Sequence, residues 1–172
     1  MARSGCKLIS YGIESGDPDI LASTRKNITL QQAEEAIRVS KEAGITFFAY
    51  FIVGLPGENW DTIRRTIDFA VRTDPDYALF HIATPFPGTT LFEQAAERGL
   101  ILNQDWTTYD EEKGGAMRTE YLSAEEIVRA RKLAMRRFYF RPSRVLRELG
   151  RIRSLSDLRS RLTAGLHILA SS

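Results

Sequence analysis

Three short apolar segments alternate with amphipathic segments along the first 100 residues. The apolar runs cover residues 7–13, 45–53 and 77–83, and each ends at a turn rich in glycine or proline. Short continuous runs of this kind are typical of strands buried on both faces, as in a parallel sheet. The segments between them carry apolar residues at helical spacing. The pattern predicts an α/β fold of three parallel βα units.

Helix start and stop signals support this assignment. Thr29 with Gln32 three residues later forms a capping-box pattern, and Gly44 supplies a left-handed stop for the first helix. A second helix is predicted to begin at residue 58 or 59 and to end before the Asp-Pro-Asp sequence at 74–76. A third is predicted over about 90–98, before a glycine.

Three βα units do not close an eight-stranded barrel, and a three-stranded sheet would have two exposed edges. We therefore expect part of the sheet to be missing from this chain, with exposed edges that would allow self-association. The alternative is a small open domain whose edges are covered by C-terminal helices or by a second copy. The predicted organisation is half of a barrel over 1–102, a loop over 103–122 and a basic helical extension over 123–172.

The extension begins with a second capping box, at Ser123, and Pro142 is expected to end its first helix. Two shorter helices are predicted around 143–149 and 156–170. The loop before the extension is polar and contains a Gly-Gly pair, so we expect it to be mobile.

Charge divides the chain into two parts. Residues 1–120 contain 12 basic and 18 acidic residues, a net charge of −6, whereas residues 121–172 contain 12 and 4, a net charge of +8. We interpret the basic part as a helical surface that touches the acidic body, because its arginines are interleaved with apolar residues. The alternative is a module that docks a partner or an acidic membrane. No nucleic-acid partner and no transmembrane segment are predicted.

Candidate chemistry gathers at the predicted carboxyl ends of the strands, where parallel α/β folds bind ligands. Glu14 and Ser15 follow the first strand, and a carboxylate there could accept hydrogen bonds from the two hydroxyls of a ribose. Gly54 begins a Gly-Leu-Pro-Gly turn that would let a flat ligand or a phosphate approach the backbone. Pro85 lies in the loop after the third strand. No catalytic residue is assigned.

The histidines and the cysteine give weaker signals. His81 alternates within the third strand and is interpreted as a satisfied core histidine, with contact to a substrate as the alternative. Cys6 is interpreted as a buried small hydrophobe at the opposite end of the first strand. The single cysteine excludes an internal disulfide and any cysteine-rich metal site, so no metal ligand is assigned. A reducing cytoplasm is the default location.

Taken together, residues 5–21, 47–70 and 79–95 resemble the fourth, fifth and sixth strand regions of radical S-adenosylmethionine (SAM) enzymes. The most similar subgroup has an N-terminal cobalamin-binding domain and includes methyltransferases and ring cyclases. The resemblance implies the second half of a partial (βα) barrel, with C-terminal helices. It also implies SAM and a small-molecule substrate as ligands, and a cobalamin cofactor as an option.

Residue by residue, the resemblance implies that Glu14 binds the SAM ribose, with Ser15 beside it. The segment Ile52, Val53, Gly54 and Leu55 matches the fifth-strand motif, usually written GxIxGxxE, that packs on the adenine. The acidic position of that motif is occupied by a glycine, and a glutamate follows one place later, so the resemblance gives this glutamate no role. Pro85 matches the loop near SAM or substrate.

The family binds a [4Fe–4S] cluster through three cysteines of a CxxxCxxC motif, which this chain does not have. We therefore expect a fragment of a longer radical SAM enzyme, inactive alone, whose missing N-terminal half holds the cluster. The expected reaction of the parent is reductive cleavage of SAM that drives radical methylation, cyclisation or rearrangement. The alternative is a non-enzymatic partner-docking module that uses its basic helices, or a nucleotide-binding module.

Overall fold

A three-stranded parallel sheet forms the centre of the molecule. Its strands are β1 (Leu8–Glu14), β2 (Thr46–Val53) and β3 (Tyr77–Ile82), arranged in the order β1-β2-β3. The predicted α/β class with three parallel βα units is confirmed. The computed structural model describes residues 1–150 and, beyond them, Ile152, Ser154, Arg159 and Thr163.

The predicted helix caps are present. The Thr29 and Asn59 side chains each accept the backbone amide of the third helical residue, and the side chain of that residue accepts the backbone amide of the cap residue. A short helix that the sequence pattern does not predict follows Asp17, whose carboxylate accepts two backbone N–H bonds of the first turn. In the described part of the chain, no helix is long and apolar enough to cross a membrane.

The helices are α1 (Pro18–Ser23), α2 (Leu30–Glu42), α3 (Trp60–Thr73), α4 (Thr90–Glu97), α5 (Ala124–Tyr139) and α6 (Pro142–Leu149). The further helix predicted around 156–170 lies, apart from two residues, outside the described residues.

One face of the sheet is buried and the other is half-covered. On β2, Phe47, Ala49, Phe51 and Val53 have no exposed surface, whereas the residues between them are partly exposed. The prediction of burial on both faces is therefore wrong for the second face. The reason is that α2, α3 and α5 all pack into one core on the same side of the sheet. We call the other side the open face: Phe48, Tyr50 and Ile52 of β2 and Tyr77, Leu79 and His81 of β3.

The outer edge of β3 is covered by side chains of α5. The Tyr139 hydroxyl donates to the Ala78 carbonyl at 3.0 Å and accepts from the Ala78 amide at 3.3 Å. Arg131 Nε donates to the Phe80 carbonyl at 2.9 Å. These bonds replace those that a further strand would make. The prediction of two exposed edges is therefore wrong at β3, where the C-terminal helix covers the edge.

The edge at β1 has β2 as its one neighbour in the described part of the chain. Leu8 is 52% exposed and Tyr11 is 42% exposed, so this strand is not the buried one that the sequence predicted. An open edge presents backbone donors and acceptors that favour pairing with another strand. Further strands of the sheet could therefore join this chain only at the β1 edge, and their presence stays a prediction. The domain boundaries also stay a prediction.

Near its C-terminal end, the loop before α5 pairs with the segment that follows α4. Ile101 pairs with Met117 as an isolated antiparallel bridge, and Met117 is buried. A short 3-10 turn at Trp106–Thr108 lies within the loop. The mobility of this loop stays a prediction.

The basic C-terminal helices pair with acidic residues of the body. Arg141 pairs with Asp74, and Arg147 bonds both oxygens of the same carboxylate at 2.7 and 3.0 Å. Burial, with the nearby charges of Arg144 and Arg147, lowers the pKa of Arg141 to about 10. The interpretation of the basic segment as a helical surface that touches the acidic body is therefore confirmed for the described residues.

Candidate functional site

A cavity of about 370 Å³ opens at the carboxyl ends of β1 and β2. Parallel α/β folds bind ligands at this end of the sheet, and the volume lies in the range of small-molecule pockets. The cavity lining combines one acidic and one basic side chain with neutral polar and apolar residues. Its lining consists of Glu14, Ser23, Thr24, Lys26, Ile52, Leu55, Pro56, Thr90, Leu91 and Gln94.

Glu14 stands at the tip of β1 in a left-handed backbone conformation, with φ of 70°. The register of β1 on β2 shifts between Gly12 and Glu14, as at a β-bulge, and bulges redirect side chains near ligand sites. A left-handed backbone at a residue other than glycine is strained, and such strain concentrates at functional sites. The Glu14 carboxylate forms an ion pair with Lys26.

Gly12 makes room for this ion pair. A Cβ at Gly12 would overlap both Glu14 Oε1 and Lys26 Nζ, so the pair lies directly over the backbone of β1. Arg25 and Asn27, on either side of Lys26, also have positive φ, 55° and 53°. Positive φ values at Glu14 and on either side of Lys26 therefore place the Glu14 carboxylate against the Lys26 ammonium group.

The turn after β2 is built around a buried carboxyl group. Glu58 is fully buried, and its Oε2 accepts the amides of Gly54 at 2.6 Å and Leu55 at 3.0 Å. Burial raises the pKa of Glu58 to about 8, although the two amide bonds act to lower it, and the charge of Asp17 raises it further. The carboxyl group is therefore mostly protonated at pH 7. The proton belongs on Oε1, which has no hydrogen-bond partner among the described residues.

A second carboxylate, that of Glu120, accepts a backbone amide of the same turn. Glu120 Oε2 accepts the Gly57 amide at 2.7 Å, and Arg98 donates to Glu120 Oε1 at 3.0 Å. Thr119 Oγ1 donates to the Glu58 carbonyl at 2.8 Å. Because the amides of the turn already bond to protein carboxylates, they are not available to a phosphate. The structure thus argues against a phosphate at this backbone and leaves the apolar side of the turn for a flat ligand.

Three of the seven predicted cofactor contacts line the cavity: Glu14, Ile52 and Leu55. Ile52 projects from the open face of β2, where it meets the strand-end loops. The sequence pattern does not predict a role for Lys26. Lys26 follows Glu14 by 12 residues in an irregular segment, so no periodic pattern connects the two.

The other four predicted contacts lie outside the cavity lining. Ser15 is fully buried beneath the start of α1, Val53 points into the core, and Pro85 is buried in its loop. A Cβ at Gly54 would lie 2.8 Å from Ile127 of α5, so this glycine is needed for helix packing. A role of these residues in binding a cofactor stays a prediction.

The described residues provide no metal site. They contain no group of three histidine, cysteine or acidic side chains that could hold a metal ion. Cys6 is partly exposed rather than buried, because it precedes an edge strand, and its thiol approaches the Leu8 carbonyl at 3.4 Å. A [4Fe–4S] cluster bound by three cysteines therefore does not fit this part of the chain. His81 is not a core histidine either: its side chain is 29% exposed on the open face.

Comparison with known proteins identifies one family profile and several curated relatives. Residues 1–70 match the family profile described as Radical SAM superfamily. An uncharacterized methyltransferase of Pyrococcus horikoshii is 37% identical over 152 residues, which cover 87% of this chain and 32% of the relative. Bacteriochlorophyllide d C-12(1)-methyltransferase of Chlorobaculum tepidum is 37% identical over 109 residues, 63% of this chain and 24% of the relative.

The match extends to a ring cyclase and to a solved structure. Anaerobic magnesium-protoporphyrin IX monomethyl ester cyclase of Cereibacter sphaeroides is 33% identical over 108 residues, 63% of this chain and 17% of the relative. The chain thus spans less than a third of the length of these curated relatives. The radical SAM methyltransferase TsrM of Kitasatospora setae, solved with cobalamin and a [4Fe–4S] cluster bound, has a TM-score of 0.52 at 21% identity. That likeness covers 80% of this chain and 27% of TsrM, and it supports the partial-barrel fold.

Proposed function

This chain belongs to the radical SAM superfamily, and we propose that its strand-end cavity binds the adenosine part of SAM. The supporting observation is the Glu14 carboxylate, held at the tip of β1 beside the apolar side chains of Ile52 and Leu55. The two carboxylate oxygens accept the two ribose hydroxyls. The adenine packs against Ile52, Leu55 and Pro56, which form the apolar wall.

Lys26 has a second role in this proposal. Its ammonium group pairs with Glu14, and the Lys26 side chain is 37% exposed, so the ammonium group can exchange Glu14 for another partner. When the ribose hydroxyls occupy the Glu14 carboxylate, Lys26 turns to the carboxylate of the methionine part of SAM. The ion pair between Lys26 and Glu14 is thereby replaced by two contacts with SAM, one at the ribose and one at the methionine carboxylate.

For the parent protein we propose radical methylation, with radical cyclisation as the alternative. Relatives of both kinds support this choice, although each is much longer than the chain. Reductive cleavage of SAM would need a [4Fe–4S] cluster, and we propose that the ligands of this cluster come from a further part of the parent protein that joins at the β1 edge. Self-association through the β1 edge is proposed only for the chain by itself, where no other strand occupies that edge. A cobalamin cofactor such as the one in TsrM, a small-molecule substrate and a cytoplasmic location belong to the proposal for the parent protein.

Calorimetry with S-adenosylhomocysteine tests the binding proposal without the cluster. Glu14→Ala should weaken binding about ten- to hundred-fold, because the hydrogen bonds of a charged acceptor are lost. Glu93→Ala, which removes an exposed carboxylate of α4 outside the cavity lining, should bind like the wild type. Equal affinity of the Glu14→Ala variant and the wild type would overturn the proposal.

A second variant separates the two ends of the ligand. Lys26→Met should weaken binding of S-adenosylhomocysteine, which has a carboxylate, and leave binding of 5′-deoxyadenosine, which has none, unchanged or tighter. Equal weakening of both ligands would show that Lys26 supports the fold of the cavity and does not contact the amino-acid part.

A further inference from the structure

The open face carries two pairs of stacked rings. The rings of Phe48 and Tyr77 lie 4.4 Å apart at 19°, and those of Tyr50 and His81 lie 5.7 Å apart at 17°. In the register of the sheet, His81 is the partner of Ile52, which lines the cavity. The second ring pair is therefore the direct continuation of the cavity wall along the open face.

His81 is oriented by a residue from the loop before α5. Its Nδ1 is buried and lies 3.4 Å from Glu111 Oε2, which is ion-pair range but outside the geometry of a strong hydrogen bond. The backbone of Glu111 is fixed, because its carbonyl accepts the Ile82 amide at 2.6 Å. The Glu111 side chain is 52% exposed, so its carboxylate has room to turn toward Nδ1.

This arrangement determines which ring nitrogen of His81 is available. A carboxylate beside Nδ1 favours the tautomer with the proton on Nδ1, and the distal Nε2 is then a hydrogen-bond acceptor. The His81 side chain is 29% exposed although Nδ1 is buried, so the exposed surface belongs to the other ring atoms. No described residue bonds Nε2, and His81 lies on the open face in register with the cavity residue Ile52.

We infer that Tyr50, His81 and Glu111 form the subsite for the second substrate, the molecule on which the parent enzyme acts. The ligand class is a planar conjugated ring with a hydrogen-bond donor, such as a ring N–H. The ligand ring lies edge-on across the rings of Tyr50 and His81, with its donor in the plane of the imidazole, where it bonds His81 Nε2. Glu111 is the positioning residue that holds the tautomer. The inference rests on the proposed function, because it places this ring beside the adenosine of SAM.

A matched pair of probes tests the donor requirement. Indole and 1-methylindole share one ring system, but only indole has a ring N–H. With the wild type, NMR titration should move the His81 imidazole signals, and indole should bind about five-fold more tightly than 1-methylindole, the ratio that one net hydrogen bond supplies. Equal affinities, or an absence of shifts at His81, would overturn the subsite.

Three variants test which residues distinguish indole from 1-methylindole. His81→Phe keeps a ring of similar shape and should bind both probes equally, and Glu111→Gln should reduce the preference for indole. Glu112→Gln is the control, because its carboxylate lies 3.7 Å from Arg131 and not beside His81. A preference retained in His81→Phe, or lost equally in Glu112→Gln, would contradict the assignment.

Binding of S-adenosylhomocysteine to the same variants separates this inference from the proposed function. His81→Phe should bind it like the wild type, which also shows that the variant is folded. If no variant and no wild-type sample binds it, the proposed function fails. If it binds normally while indole and 1-methylindole bind alike, only the subsite fails.

Discussion

At the scale of single residues, the turn after β2 depends on one buried proton. The folded-state pKa of Glu58, about 8, lies above its usual value of 4.5, so the unfolded chain releases this proton first as pH rises. The contribution to stability is therefore complete below about pH 4.5 and is lost progressively up to about pH 8. The loss is of the order of 1.4 kcal/mol per pH unit in that window.

Glu58→Gln tests this prediction because glutamine keeps an acceptor oxygen for Gly54 and Leu55 and cannot ionise. Urea unfolding between pH 5 and pH 8 should show a fall in the free energy of unfolding for the wild type and a smaller fall for the variant. Glu97→Gln changes an exposed carboxyl group of α4 and should retain the wild-type pH dependence. The same fall in Glu58→Gln as in the wild type would contradict the assignment.

Residues differed in how far the sequence could predict them. Glu14 was found because a carboxylate directly after an apolar run stands out against its neighbours. Lys26 was not, since its contact with Glu14 depends on a loop in which Arg25 and Asn27 have positive φ. The role of Glu58 was missed because it requires the turn to fold back onto a buried side chain, although its distance of four residues from Gly54 was a usable signal.

At the scale of elements, α5 acts in place of a neighbouring strand for β3. Tyr139→Phe removes the hydroxyl that bonds both backbone groups of Ala78. We expect a loss of about 1–3 kcal/mol in the free energy of unfolding, because those groups lose their partner. Tyr121→Phe alters a tyrosine that is 66% exposed and should change stability by less than about 0.5 kcal/mol. Chemical denaturation of the two variants gives the comparison, and equal stabilities would count against this role of α5.

Helices and strands were predictable where their signals are local. The caps at Thr29, Asn59 and Ser123 are short-range patterns, and each begins a helix in the structure. The one-sided burial of β2 was not predictable, because it depends on which face α2, α3 and α5 cover. Helix α1 is only six residues long, so its apolar pattern is too short to recognise.

At the scale of the whole molecule, we expect no radical SAM reaction from this chain by itself. Reconstitution with iron and sulfide should give no stable cluster and no cleavage of SAM. The reasons are that the chain has one cysteine and that its described residues offer no metal-binding group. A stable cluster absorbance together with 5′-deoxyadenosine formation would contradict this expectation.

The central claim is that Glu14 binds the ribose of SAM, and a crystal structure with S-adenosylhomocysteine tests it most directly. We predict that both ribose hydroxyls lie within hydrogen-bond distance of the Glu14 carboxylate and that the adenine lies against Ile52 and Leu55. The ion pair of Glu14 with Lys26 should then be open. A nucleoside bound elsewhere, with that ion pair intact, would contradict the account.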